Sequence, residues 1–455
     1  MGKQTATLPV VNAHATGIDI GSREHWVAVD QDKENVKSFG VYTQDHQHLI
    51  EHLRQYEITT VAMESTGSYW QTLFNALQQA GFNVLLVGSS QTKNVQGRKT
   101  DVIDCLWIQR LHSLGLLSGS FLLSDTLQEL RTYYYHRQHL IEQLATYTHK
   151  MQKALRLMNV RLDVAIRDIT GKSGLAIIEA ILAGNRDPYY LASLVDVRMK
   201  KSQEEIAQSL HGSWRQELLF ELQASLDFYK HYQNALLPCD QVIEEALRRS
   251  VPVESVSKPA EKKLSKQEKK TSKHTPAFDL SNLAYQYFKT DLFAISGISY
   301  NTVLCLLTTL GKVIHKFSSA KSFASWLRLV PNNKISGGRI LSHRTPTGKS
   351  HIATALRQAA NSIGNQANHE LSGFFKRIAY KKGRVAAITA TARKLAMIIW
   401  NMITKVEPYR KTQIKDTAQK TREANVRQVK RRLAALDLSQ DELSRLFSSY
   451  SFSAS

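Results

Sequence analysis

Alternating strand and helix patterns between residues 16 and 117 constrain the fold of this chain more than any other feature. Residues 16–20 (TGIDI) and 25–30 (HWVAVD) predict two strands, and the GSRE segment between them predicts a hairpin turn. The elements predicted next are a strand at 36–42, a helix at 46–55, a strand at 58–63, a helix at 68–80, a strand at 83–87 and a helix at 101–117. This order predicts an α/β domain with a sheet of mixed direction.

The remaining chain has mainly helical patterns. Apolar residues spaced three and four apart at 126–165, and a second such stretch at 202–249, predict a coiled-coil-like hairpin. An ordinary helical bundle explains the same spacing equally well. The predicted domains are an α/β unit at 14–125, a helical arm at 126–250, a basic flexible linker at 251–278, a helical domain at 279–410 and a basic helical tail at 411–455. The linker prediction rests on residues 258–273, which contain seven lysines and two glutamates.

Charge composition points to a polyanionic partner. The chain of 455 residues has 60 Lys and Arg against 39 Asp and Glu, a net charge of +21. Nucleic acid is the commonest partner for such a surplus, although a basic enzyme of another class can have the same balance. The three cysteines show no CxxC spacing, which fits a reducing compartment. We expect no secretory signal, and a buried helix rather than a membrane span at residues 385–403.

Four acidic residues are the candidate metal ligands. Asp19 lies within the first predicted strand between two isoleucines, where a charge is normally excluded. Glu64 ends a strand, and Asp101 and Asp104 lie on one face at the start of a helix. Converging carboxylates repel one another unless cations are bound. Mg²⁺ accepts a few carboxylates together with phosphate oxygens, and two ions roughly 3.5–4 Å apart can clamp a phosphodiester. We therefore expect two Mg²⁺ ions, with Mn²⁺ as a substitute.

The cations beside these acids suggest nucleic acid as the substrate. Arg98 and Lys99 precede the acidic helix and are placed to meet a phosphate backbone. A competing interpretation is that GIDIGS is the first phosphate loop of the actin, Hsp70 and sugar-kinase superfamily. That class needs a second nucleotide-binding half with Asp-Gly-Gly loops, and no such loop follows residue 120.

The C-terminal part contains two further candidate sites. The turn at Gly297 between helical segments resembles a helix-hairpin-helix, whose backbone amides bind phosphates without reading bases. Ser336 precedes a Gly337-Gly338 pair, and an exposed hydroxyl there can act as a nucleophile once it is activated. Nearby cations that would stabilise charge on an attacked phosphate are Lys334, Arg339, His343, Arg344 and Lys349.

Taken together, these motifs resemble the DEDD transposases of insertion-sequence family 110, especially the 1111 subgroup. The segments that carry the likeness are GIDIG with Asp19, AMESTGSYW with Glu64, KTDVIDCLWI with Asp101 and Asp104, and the later FASWLRLVP and ISGG. They occur in the family's order over nearly the whole chain. Cys105 stands where the family usually has alanine, and the lysine-rich run at 258–273 resembles an insertion.

The resemblance implies a RuvC-like (RNase H fold) domain, a coiled-coil arm and a C-terminal transposase domain. It implies that Ser336 attacks DNA while the four acids bind Mg²⁺, and that the protein works as a dimer or tetramer. It further implies that a structured non-coding RNA pairs with donor and target DNA, as described for bridge recombinases. The expected location is the bacterial cytoplasm, in association with the nucleoid and without membrane contact.

Two alternatives remain open. One is a metal-dependent nuclease of the Holliday-junction-resolving type that uses water, with Ser336 purely structural. The other is a non-catalytic DNA- or RNA-binding remnant, which the presence of all four acids and Ser336 disfavours.

Overall fold

The computed structural model describes residues 8–65, 67–92, 100–119, 125–196, 201–251, 273–295, 297–348, 350–366, 370–409 and 414–435. The chain divides into two compact units, residues 1–123 and 124–455. Each unit has its own hydrophobic core, and each is described separately below.

The first unit contains a five-stranded mixed sheet. Its strands are β1 (Ala15–Ile20), β2 (Glu24–Ala28), β3 (Lys37–Gly40), β4 (Thr60–Glu64) and β5 (Asn83–Val87). They lie in the order β3-β2-β1-β4-β5, where β2 is antiparallel to both neighbours and β4 and β5 are parallel to β1. The mixed sheet predicted from the sequence is confirmed.

Helices cover both faces of this sheet. They are α1 (Thr43–Gln55), α2 (Trp70–Gln79), α3 (Ser89–Thr92) and α4 (Asp101–Ser113), with a 3-10 turn at Lys33–Asn35. Side chains alternate between the two faces of a strand, so Ile18, Ile20 and Met63 enter the core beneath α1 and α2. Ala28 of β2 lies on the opposite face and packs with Cys105 and Leu106 of α4.

The second unit begins with two long helices. These are α5 (Asp125–Leu157) and α10 (Gln216–Ser250), and they pack against each other. Four short helices lie between them in the chain: α6 (Leu162–Ala165), α7 (Lys172–Leu182), α8 (Pro188–Ser193) and α9 (Gln203–Ser209). The predicted second long helix starts later than residue 202. Residues 210–215 separate α9 from α10, and within this break Gly212 lies close to Val160 and the Met158 carbonyl oxygen, where a side chain would collide with both.

The helices that follow residue 279 are shorter. They are α11 (Leu280–Phe288), α12 (Tyr300–Thr309), α13 (Ala320–Trp326), α14 (His351–Gly364), α15 (Ser372–Lys382) and α16 (Arg384–Lys405), with 3-10 turns at Leu292–Ala294 and Gly311–Lys316. A hairpin of β6 (Lys334–Ser336) and β7 (Arg339–Ser342) precedes α14, and α17 (Ile414–Ala435) follows α16.

Three sequence predictions concern the apolar run at 385–403, the linker and the tail. Helix α16 covers the apolar run at 385–403, and no helix in the described ranges is long and apolar enough to cross a membrane. Most of the predicted linker (252–272) and the Ser-rich end of the tail (436–455) lie outside the described residues.

Candidate catalytic carboxylates and a serine hairpin

Two parallel strands place Asp19 and Glu64 at the same end of the sheet, where both strands reach their carboxyl termini. Ile18 of β1 is in register with Met63 of β4, so Asp19 and Glu64 are the next residues along these strands. Ile18 and Met63 face the core beneath α1 and α2. By alternation, Asp19 and Glu64 lie on the opposite face, which α4 covers. Both acids are half-buried.

Helix α4 brings the second pair of acids to this face. Gly17 of β1 allows the close approach, since a side chain there would lie 2.5 Å from the Cys105 carbonyl oxygen and would also strike the Gln109 backbone. The Gln109 side-chain amide donates a 3.1 Å hydrogen bond to the Ala15 carbonyl oxygen and ties α4 to β1. Asp101, the first residue of α4, is exposed, and Asp104, one turn later, is half-buried.

Local interactions also stabilise acids at the start of α4. The Thr100 hydroxyl caps the helix by accepting a 3.3 Å hydrogen bond from the Ile103 backbone N–H. The positive end of the helix dipole favours the carboxylates of Asp101 and Asp104. Neither interaction accounts for the acids on the neighbouring strands.

Electrostatics place Asp19 and Asp104 around one buried thiol. Burial, together with the negative charges of Asp19 and Asp104, raises the pKa of Cys105 to about 12. Both carboxylates are therefore close enough to act on the same sulfur atom. Glu64 has a hydrogen-bond partner, since its Oε2 accepts a 2.5 Å hydrogen bond from the Thr92 hydroxyl. No local sequence signal indicates this contact of Thr92, because it depends on the placement of α3.

The donor chemistry fits a hard divalent cation, but the side chains do not form a closed metal site. Carboxylate oxygens are the ligands that Mg²⁺ takes. Within the described ranges, however, no three His, Cys, Asp or Glu side chains are grouped closely enough to hold an ion. The fold brings Asp19, Glu64 and the start of α4 to the same face of the sheet, and a shared metal site of all four acids stays a prediction.

The second candidate site is the tip of the β6–β7 hairpin. Ser336 pairs with Arg339, and Gly337 (φ 54°) and Gly338 (φ 74°) form the two-residue turn between them. Two positive φ values at a two-residue loop favour glycine at both positions. Ser336 is exposed, and a side chain built at either glycine would meet nothing within 4 Å. The tip is therefore open to a large ligand.

Exposed cations and apolar side chains surround this tip. Lys334, Arg339 and Arg344 are all exposed, and Arg339 lies directly opposite Ser336 in the hairpin. Ile335 and Leu341 are 62% and 69% exposed, which is unusual for large apolar side chains on a short hairpin.

Packing explains the glycine predicted to bind phosphate in the helix-hairpin-helix segment. Gly297 has φ 90°, and a side chain there would lie 2.7 Å from Ile363 of α14. The turn joins the 3-10 segment Leu292–Ala294 to α12, so the helical segment before it is a single short turn. A phosphate-binding role of Gly297 stays a prediction. Arg98, Lys99 and Lys349 lie outside the described residues.

Two family models match the segments that contain the candidate residues. A model of DEDD transposases matches residues 16–160, which include all four acids. A model described as transposase IS116/IS110/IS902 family matches residues 290–376, which include Ser336. Together the two matches cover about half of the chain. The chain belongs to the IS110 family of transposases, and membership of its DEDD group implies a RuvC-like fold for the first unit.

A curated relative is the transposase for insertion sequence element IS1111A of Coxiella burnetii (strain RSA 493 / Nine Mile phase I). It is 28% identical to this chain over 121 residues, which is 26% of this chain and 33% of the relative. The chain thus matches about a third of the length of that relative.

Proposed function

We propose that this protein is a transposase that cuts and rejoins DNA strands, with Ser336 as nucleophile and Asp19, Glu64, Asp101 and Asp104 as metal ligands. The observation that carries this proposal is the placement of Asp19 and Glu64 on the sheet face where α4 begins. Partly buried carboxylates need hydrogen bonds or a cation to offset their lost hydration, and two of them on one sheet face can share a metal ion.

The acids would hold a divalent metal of the Mg²⁺ type. When bound, such a metal supplies Lewis-acid stabilisation of charge on the phosphate oxygens. The half-buried positions of Asp19, Glu64 and Asp104 keep their carboxylates beside apolar neighbours, where a bound cation is screened less than in water. The exposed Asp101 lies nearest to incoming DNA.

Ser336 would form the covalent link that conserves the energy of the broken phosphodiester. Its Oγ bonds to phosphorus as the bond from phosphorus to one deoxyribose oxygen breaks; the serine proton passes to solvent, and the departing oxygen takes up a proton from solvent to become a hydroxyl. A deoxyribose hydroxyl from the recombining strand later attacks this phosphoserine and releases the serine. The exposed hairpin tip supports this role, because a strand can approach Ser336 without displacing core residues.

The cations around the tip would neutralise the DNA backbone. Arg339, which pairs with Ser336 in the hairpin, would contact the attacked phosphate, and Lys334, Arg344 and Lys349 would contact neighbouring ones. Arg98, Lys99 and the backbone at Gly297 would contact the nucleic acid elsewhere.

The partners we propose are donor DNA, target DNA and a structured guide RNA that pairs with both. The charge of +21 supports binding to this much polyanion. Assembly into a dimer or tetramer through the α5 and α10 arm would combine the acids and serines of different chains.

Matched serine substitutions test the proposal. Ser336→Ala removes one exposed oxygen and should abolish DNA strand cleavage while leaving guide RNA binding unchanged. Ser342→Ala makes the same chemical change in the opposite strand of the hairpin and should cleave normally. Cleavage by Ser336→Ala at the wild-type rate would identify water as the nucleophile and favour the junction-type nuclease.

A further inference from the structure

A cavity of about 730 Å³ lies beside the base of the serine hairpin. Helices α15 and α16 form one side of it, and residues on both flanks of the β6–β7 hairpin form the other. A volume of this size is within the range of small-molecule and nucleotide sites. None of its described lining residues is acidic, and four of them are Lys, Arg or His.

The lining combines groups that suit one nucleotide. Phe374 of α15 presents an aromatic ring, and the Lys394 Nζ of α16 lies 4.8 Å from its centroid. Lys382 adds an exposed ammonium, while Ile378 and Met397 supply apolar surface. Nonspecific single-strand sites use this combination, in which rings stack against bases and cations contact phosphates.

A buried donor in this lining lacks an acceptor. The Nε of Arg393 is shielded from solvent and has no hydrogen-bond partner among the described residues. A guanidinium N–H without an acceptor is costly when it is buried, so an oxygen atom supplied by a ligand would be stabilised there. Val385 also lines the cavity and is 80% exposed, so its apolar side chain is available to contact a ligand.

The cavity is also close to the proposed nucleophile. His343 lines the cavity and directly follows Ser342, which pairs with Lys334 at the base of the hairpin. Ser336 is two residues beyond Lys334 in the same strand, which is roughly 7 Å at the usual rise per residue. A strand held at Ser336 therefore has a neighbouring nucleotide within reach of the cavity.

We propose that this cavity takes one unstacked nucleotide of the DNA strand engaged by Ser336. This inference rests on the proposed function. The base would contact Phe374 and the apolar surface, and its phosphate would contact Lys382 and Lys394. Holding one base out of the stack would fix the strand relative to the hairpin.

Binding to duplexes with and without an unpaired nucleotide tests this inference. The full chain carrying Ser336→Ala is titrated with a 20-base-pair duplex, with the same duplex bearing one bulged thymidine, and with one bearing an abasic bulge. We expect the thymidine bulge to bind about tenfold tighter than the paired duplex, since stacking on an aromatic ring contributes at that level. The abasic bulge should show no such preference.

Matched variants assign the preference to the cavity. Phe374→Leu and Lys382→Gln should each reduce it to less than threefold. Tyr380→Leu and Lys381→Gln change exposed residues of the same helix that do not line the cavity, and both should retain the preference.

Equal binding of paired and bulged duplexes, or a preference that survives both cavity variants, would overturn the inference. If the wild-type protein forms a serine adduct but shows no preference for the bulge, the cavity inference is rejected and the proposed function stands. If it shows the preference but forms no adduct, the proposed function is rejected instead.

Discussion

Three buried histidines in the first unit link its stability to pH. His25 of β2 is 1% exposed, and its ring centroid lies 5.7 Å from that of His46 on α1. Burial, together with a smaller effect of the charge of His46, lowers the pKa of His25 to about 4. Burial also lowers the pKa of His46, against the opposing effect of Asp45, and that of His52. The fold therefore favours the neutral form of all three rings.

The first unit should lose stability as the pH falls from about 6.5 towards 4. Above pH 6.5 both folded and unfolded chains hold neutral histidines, whereas between these values the unfolded chain binds more protons. We expect a loss on the order of 2 kcal/mol, measured by amide hydrogen exchange in β1 and β2. His25→Leu should reduce the acid sensitivity, and His48→Leu, a change at an exposed position of α1, should not. Equal amide protection factors in β1 and β2 at pH 7 and pH 4.5 would contradict the link between these histidines and stability.

Contacts between elements set the position of the acids. Helix α4 lies against β1 because Gly17 has no side chain, and its N-terminal turn then brings Asp104 to the side of the sheet that bears Asp19. A change at Gly17 should therefore affect the candidate site without altering any acid.

Gly17→Ala should force α4 away from the sheet. The added carbon would meet the Cys105 carbonyl oxygen and the Gln109 backbone, neither of which can rotate aside. We expect a stability loss of about 1–3 kcal/mol and impaired DNA cleavage. Gly373→Ala is the control, because a side chain there meets nothing within 4 Å. Wild-type hydrogen exchange in α4 and normal cleavage by Gly17→Ala would show that this contact does not position the acids.

A buried ion pair joins the two long helices of the second unit. The Nε of Arg137 on α5 lies 2.5 Å from Oδ1 of Asp240 on α10, and the two side chains are 1% and 4% exposed. The pair also binds a neighbouring segment, because Arg137 donates to the His274 carbonyl oxygen and Asp240 accepts from the Ala277 N–H.

Removing one partner of this pair should be costly. Arg137→Met leaves a buried carboxylate unpaired and should cost about 3–5 kcal/mol, detected as a lower thermal midpoint. Arg248→Met breaks the exposed pair with Glu244 on the same α10 and should cost less than about 1 kcal/mol. Similar midpoints for the two variants would mean that the buried pair does not stabilise the arm.

Sequence patterns predicted the first unit well because its signals are local. Strand alternation located Asp19 and Glu64. The β6–β7 hairpin that presents Ser336 was not predicted, because the sequence indicated only a glycine-containing loop within a helical domain. The start of α10 was wrong because the break at Gly212 depends on contact with residues more than fifty positions earlier. The cavity was not predicted either, since its walls come from separate helices and a hairpin loop.

Considered as a whole molecule, the chain combines an acidic edge in one unit with a basic surface in the other. The net charge of +21 should make binding to nucleic acid strongly dependent on salt. On duplex DNA the logarithm of affinity should fall by about 0.9 per phosphate neutralised for each tenfold rise in salt. We expect a slope steeper than about −4, measured by titration between 50 and 200 mM salt. A slope near zero would contradict a role for these cations in backbone binding.

The chemical identity of the protein–DNA link tests the central claim most directly. DNA carrying a labelled phosphate at the cleavage site is incubated with the full chain, the proposed guide RNA and Mg²⁺, and the denatured product is digested to peptides. We predict that the label lies on Ser336 as a phosphoserine, and that Asp19→Ala prevents its formation. Cleaved DNA with no labelled peptide, or a label on another residue, would contradict Ser336 as the nucleophile.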